Sequence, residues 1–183
     1  MSLRPILEWI ADRLGPPRVI YDRAGKSPYL SRYYLFGGPT MADGSWPFER
    51  DGAMRAGALW PTRAFGLYLH KFHRGDDDMQ LHNHPWRAAV SIILAGGYRE
   101  ERRVGDRVVA RSVWPGSVNV ILADDFHRVD LFERDAWSLF LAGPKFQGWG
   151  FWDRENGSFV PWREFITARR DPVSFARAES WRR

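Results

Sequence analysis

The rhythm of apolar and polar positions changes along this chain. From Leu3 to Leu14, apolar residues recur at Leu3, Ile6, Ile10 and Leu14, interleaved with Arg4, Glu8, Asp12 and Arg13. That spacing predicts an amphipathic helix, ended by Gly15-Pro16-Pro17. Val19–Tyr21 and Tyr29–Leu35 predict short strands, and Gly37 to Pro47 a turn-rich surface loop. From Ala64 onward the period shortens to two. Strands are expected over 66–74, 98–103, 108–113, 117–122, 126–132 and 137–142. Gln80 to Leu94 reads as one long apolar strand, or as two strands around Pro85. Turn signals separate these runs, among them Ala95-Gly96-Gly97, Gly105-Asp106 and Pro115-Gly116. Short strands at this spacing predict an all-β sandwich or barrel. After Gly143-Pro144 the chain turns aromatic, at Trp149 to Trp152 and Phe159 to Trp162. That stretch is expected to cover one end or face of the β core. A short helix is expected over 162–170, stopping before Pro172, with a basic end from Ser174 to Arg183.

Composition narrows the class. The 183 residues suffice for a single domain, and 44% hydrophobic content is globular. There are no cysteines, so disulfides, thiolate metal sites and cysteine nucleophiles are excluded. The formal charge is +5, and arginine carries nearly all the positive charge, because the lysines are only Lys26, Lys71 and Lys145. Arginine pairs bidentately with carboxylates and phosphates, so an anionic small-molecule ligand is expected. Basic residues are interleaved with acids, which argues against nucleic acid as a partner. No apolar run approaches the roughly 20 residues that span a bilayer. No membrane association is expected, the first helix does not read as a signal peptide, and the expected compartment is the cytoplasm.

The chemistry gathers at Gln80-Leu81-His82-Asn83-His84-Pro85-Trp86. On an extended strand, alternate side chains share a face, so His82 and His84 project together with Gln80 beside them. Two imidazoles on one face are half of a metal site, and His127 is placed to complete it from an antiparallel strand. Three neutral imidazoles leave coordination positions open. His70 shares a face with Tyr68 and Phe72 and is a candidate to line the interior, while His73 is expected at the surface. Trp86 follows the alternation of the histidines and is a candidate pocket wall. The Asp76-Asp77-Asp78 run lacks the spacing of a calcium loop and reads as a solvated turn. No Gly-x-Ser-x-Gly elbow, phosphate-binding Gly-Lys-Ser/Thr loop, Gly-x-Gly-x-x-Gly or His-Glu-x-x-His is present.

These residues resemble the cupin superfamily. Gly75, His82 and His84, then Val90 to Gly96, resemble its first motif, and Pro115-Gly116, Val118 to Leu122 and His127 its second. The resemblance covers residues 64–143 and implies a double-stranded β-helix, or jelly roll. The N-terminal helix and strands over 1–63 and the aromatic extension over 144–183 complete a single domain, 1–183. It implies that His82, His84 and His127 hold one divalent metal, iron first, with zinc, nickel or manganese as alternatives. The cupin glutamate would fall at Ala88 or Ala89, which cannot ligate, so the site is similar to the three-histidine cupins. Glu100, which shares a face with Tyr98 on the next strand, is the preferred replacement acid. Glu100 and Tyr98 are the candidate catalytic residues, and Gln80, Trp86 and His70 the candidate substrate contacts. Arg87 or Arg102 is expected to hold a substrate carboxylate. The function expected is dioxygenase-like chemistry on a small anionic substrate. The alternatives are a sugar isomerase or epimerase and a non-catalytic ligand-binding or scaffold module. A homodimer is expected by resemblance.

Overall fold

The computed structural model describes residues 2–21, 26–36, 65–76 and 79–165. The expected loop at 37–47 and the basic end at 174–183 lie outside them. Among these residues, one helix and twelve strands are formed: α1 (Arg4–Leu14), β1 (Arg18–Tyr21), β2 (Pro28–Phe36), β3 (Gly66–Phe72), β4 (Leu81–His82), β5 (Ala88–Ala95), β6 (Tyr98–Val104), β7 (Arg107–Val113), β8 (Val118–Leu122), β9 (His127–Leu131), β10 (Ala136–Ala142), β11 (Gly150–Asp153) and β12 (Ser158–Pro161). Residues 162–165 begin a further helical turn. No helix here is long and apolar enough to cross a membrane.

The strands form two antiparallel sheets, ordered β1-β2-β3-β10-β5-β8 and β12-β11-β4-β9-β6-β7. The eight strands β3 to β10 supply the order β3-β10-β5-β8 in one sheet and β4-β9-β6-β7 in the other. That is the double Greek key of a jelly roll. Strands β1 and β2 widen the first sheet, and the β11–β12 hairpin widens the second. Glycines with positive φ, Gly105 at +60° and Gly116 at +89°, make the turns after β6 and before β8, where a side chain would be strained.

Pro85 is where the chain changes sheets. It ends β4 after two residues, and β5 restarts at Ala88 in the opposite sheet. Proline offers no amide hydrogen for a ladder, but the Pro85 carbonyl accepts from the Phe146 amide at 2.7 Å. The crossing is therefore pinned from the β10–β11 connection.

Inward-facing stripes of the barrel read apolar, polar, apolar. On β3 the stripe is Tyr68, His70, Phe72; on β5, Ala89, Ser91, Ile93; on β10, Ala136, Ser138, Phe140. Register aligns the middle positions, with Ser138 opposite His70 and Ser91 opposite Asn119. One apolar cluster, Tyr34, Tyr68, Ala89, Ile121, Phe140 and Ala142, lies to one side of this polar layer. The other, Ile93, Tyr98, Val113, Val129 and Ala136, lies to the opposite side.

Helix α1 covers the outer face of the first sheet. Leu7 and Ala11 are buried against Leu69, Ala95 and Trp137, with Ile10 and Leu14 packed beside them. The expected stripe is rotated: Leu3 and Ile6 are exposed. The start of the helix is fixed by Arg4, whose Nε lies 2.7 Å from the buried Asp135 carboxylate, and this orientation turns Leu7 rather than Ile6 to the sheet. The described part of the aromatic extension does not lie over a face as expected but adds strands to the edge of the second sheet, where Trp152 packs on Phe126 at 5.5 Å and Phe151 on Phe165 at 3.9 Å.

Candidate metal centre

The short strand β4 places the first imidazole. His82 pairs in register with His127 on β9 on one side and with Phe151 on β11 on the other. Leu81 before it is fully buried. Asn83 is the fastener between the two histidines. Its Oδ1 accepts from the Gly150 amide at 2.9 Å, and its Nδ2 donates to the Ala123 carbonyl at 3.3 Å. With Asn83 turned away and held, His82 and His84 face inward together.

Ligand atoms of His82, His84 and His127 lie within 4.8 Å of one another. Nε2 of His84 and Nε2 of His127 are 2.9 Å apart. Behind His127, Nδ1 donates to Glu100 Oε1 at 2.8 Å. An ionised carboxylate only accepts, so the proton sits on Nδ1 and Nε2 presents its lone pair to the centre. Glu100 is fully buried, and it accepts from Asn119 Nδ2 at 2.9 Å, Arg102 Nη2 at 2.9 Å and Arg111 Nε at 2.7 Å. Burial pushes the Glu100 carboxyl up, but the bonds from His127, Asn119 and Arg102 outweigh it and hold it well below the usual carboxylate range. Asp76 stands behind His82, its Oδ2 3.8 Å from Nδ1. Asp76 is no solvated turn residue: it accepts from the Val129 amide and the Tyr29 hydroxyl, each at 2.6 Å, and is thereby held beside His82.

Burial is the main influence on the imidazoles. It lowers His82 to about 4, with Asp76 opposing and His127 adding to the drop. It takes His84 well below its ordinary value, assisted by His127, His82 and Arg32. Both are therefore neutral at pH 7, as metal ligation requires. Converging neutral imidazoles, one backed by a buried carboxylate, fit a divalent transition metal with open coordination positions. Among the described residues no carboxylate joins the cluster.

No family model matches the chain, and no curated protein does. Solved structures do resemble it. DMSP lyase DddQ from Ruegeria pomeroyi DSS-3 is 18% identical with a TM-score of 0.49, over 73% of this chain and 58% of that one. KdgF from Halomonas sp. is 16% identical with a TM-score of 0.41, over 66% of this chain and 85% of that one. An oxalate oxidase is 15% identical with a TM-score of 0.43, over 66% and 53%. The chain thus spans little more than half of the first and last of these. The fold is a double-stranded jelly roll. The strand order carries that conclusion by itself, since every one of these TM-scores is below 0.5.

The remaining candidates lie at graded distances from the centre of this barrel. Trp86 stacks on His84 at 5.3 Å and meets Phe140 at 5.3 Å, beside the imidazoles. His70 is buried in the same barrel, 4.8 Å from the Phe140 ring. Burial, then the charge of Arg32, takes it well below its ordinary pKa. Its Nδ1 has no hydrogen-bond partner among the described residues. Tyr98 lies in the cluster on the far side of the polar layer, where its hydroxyl meets Asn119 Nδ2 at 3.4 Å. Burial raises its pKa, so it stays protonated. Glu100 is not in a ligand position; it holds the Nδ1 side of His127. Gln80 is turned outward from the histidines, its Oε1 accepting from the Arg154 amide at 3.0 Å. His73, expected at the surface, is half-buried and bonded to Ser31 Oγ at 2.8 Å.

Of the two arginines named from the sequence, Arg102 is already engaged and Arg87 is exposed. Arg102 is engaged by Glu100, Asn119, Asp125 and the Val120 carbonyl. Arg87 lies 5.6 Å from the Phe146 ring. The residue the sequence reading passed over is Arg32 on β2, in register with His70. The alternation Leu30-x-Arg32-x-Tyr34 puts it on the face where Leu30 and Tyr34 are buried.

Proposed function

We propose that this chain is a mononuclear metal enzyme of dioxygenase type that oxidises a small anionic substrate inside the barrel. The observation that carries this reading is the convergence of His82, His84 and His127 within 4.8 Å, with no carboxylate among them in the described residues. A divalent metal, iron first, would supply Lewis acidity and an electron-transfer partner for dioxygen. The chain's own residues do the rest. Glu100 holds the proton of His127 at Nδ1, so that Nε2 stays bare. Asp76 stands behind His82 in the same manner, at longer range. Three neutral ligands leave a dipositive ion uncompensated, and an anionic substrate balances it. Trp86 and Phe140 wall the site and limit water around the substrate. Tyr98 keeps its proton and serves the Asn119–Glu100 network from beneath.

A second reading is favoured by one observation. The buried, neutral His70 has a ring nitrogen without a partner among the described residues. Since Nε2 accepts from Arg32, this nitrogen carries the ring proton, and a buried donor of that kind suits lyase or isomerase chemistry, in which charge developing on a substrate oxygen is stabilised and no dioxygen is needed. Turnover of a small-carboxylate panel with an oxygen electrode separates the two. Dioxygen uptake matched to product supports the first reading, and equal turnover without air overturns it in favour of the second.

A further inference from the structure

Among the described residues, Arg32 is a cation of this barrel without an anion. Its Nε donates to His70 Nε2 at 2.9 Å. Its guanidinium carbon lies 4.9 Å from the Tyr68 ring and 5.8 Å from the Trp86 ring, and Trp86 is the ring stacked on His84. Arg32 therefore stands on the His84 side of the imidazole cluster, across the aromatic wall. Arg102 and Arg111, by contrast, both hold a buried carboxylate, Glu100. Among the described residues none pairs with Arg32, and its neighbours are aromatic rings, a neutral histidine and the Tyr34 hydroxyl. Burial lowers its pKa, with another cation, Arg18, adding to the drop while Tyr34 and Tyr68 oppose it. An arginine stays charged under such a penalty. A half-buried guanidinium without a counter-charge is costly, and an incoming carboxylate removes that cost by a charge-assisted, forked pair of hydrogen bonds.

We infer that Arg32 is the residue that binds the carboxylate of the substrate, with His70 as the positioning residue that fixes the guanidinium by accepting from Nε. This deepens the proposed function and rests on it only for the word substrate; the anion site itself is a property of the chain without metal. The substrate class that follows is a small monocarboxylate with an unsaturated or apolar body. The carboxylate meets Arg32, the body lies along Trp86 and Phe140, and the reacting carbon is turned toward the three imidazoles. Arg32 comes from β2, outside the eight-stranded jelly roll. The added strand thus supplies a specificity residue and not only a wider sheet.

The test is a calorimetric titration of metal-free protein with propionate and benzoate, and with the neutral propionamide and benzamide as controls. The proposal expects each carboxylate to bind at least tenfold more tightly than its amide. R32Q is expected to abolish that preference, and R32K to retain part of it, since a lysine keeps the charge without the fork. Propionate is also expected to raise the thermal midpoint of the wild type and leave that of R32Q unmoved, which separates lost binding from lost folding. Absent carboxylate binding, or equal preference in wild type and R32Q, overturns the proposal. The metal content of the same wild-type preparation is read separately. A failed metal reading with intact carboxylate preference therefore counts against the proposed enzyme and not against Arg32.

Discussion

Glu100 accepts hydrogen bonds from His127, Asn119, Arg102 and Arg111 without reaching solvent. The arrangement fixes the tautomer of His127, because an ionised carboxylate only accepts and so keeps a proton on Nδ1. Replacing Glu100 with Gln keeps the volume but brings an amide NH₂ among donors. Metal affinity should fall about 10- to 100-fold, as for other partners of ligating histidines, in competition against a fluorescent chelator. His70 gives a pH dependence with a definite sign. Its folded-state pKa lies well below its ordinary value of 6.5. Above pH 6.5 both states are neutral and the full stability is present. As pH falls below 6.5 the unfolded chain takes up a proton that the folded chain refuses, so stability is lost. Acid denaturation profiles of H70Q should be shallower by about one proton, or about 1.4 kcal/mol per pH unit, between pH 6.5 and the folded-state value.

Strand β4 is two residues long, yet it holds the site through its neighbours. Asn83→Ala would leave the Gly150 amide and the Ala123 carbonyl without this partner. The expected cost is about 1–3 kcal/mol in a denaturant melt, with weaker metal uptake. Helix α1 is independent of that chemistry. Leu7→Ala should cost about 2–5 kcal/mol from the cavity it opens and leave metal stoichiometry unchanged. Most strands of the jelly roll were readable because one face is apolar and the turns carry glycine, proline or aspartate, while β6 is polar on both faces and was marked by its flanking turns. Pro85 marked the crossing, though the sequence left one strand or two open. The β11–β12 hairpin was not readable as strands: Phe151 and Trp152 are adjacent aromatics, so period two is lost. Arg32 was hidden for a related reason. On β2, Leu30 and Tyr34 face the barrel while Tyr33 and Leu35 face α1, so both faces are apolar and nothing marks which is interior.

At the scale of the whole molecule, two sheets hold a polar layer between two apolar clusters, and the imidazoles from β4, its continuation and β9 meet there. The histidine pair and His127 were legible from spacing alone. Glu100 was legible as an acid near the site, but its side of the imidazole depends on register between β6 and β9, where Arg102 rather than Glu100 pairs with His127. A metal that binds only the folded chain would add about 2.7 kcal/mol to stability at about a hundred times its dissociation constant. The most direct test of the account is elemental analysis of the protein purified without chelator, alongside H82A and H127A. The account predicts one equivalent of a divalent transition metal, iron first, in the wild type, and its loss in both variants. A wild type that holds no metal as purified and takes up none on reconstitution would contradict it.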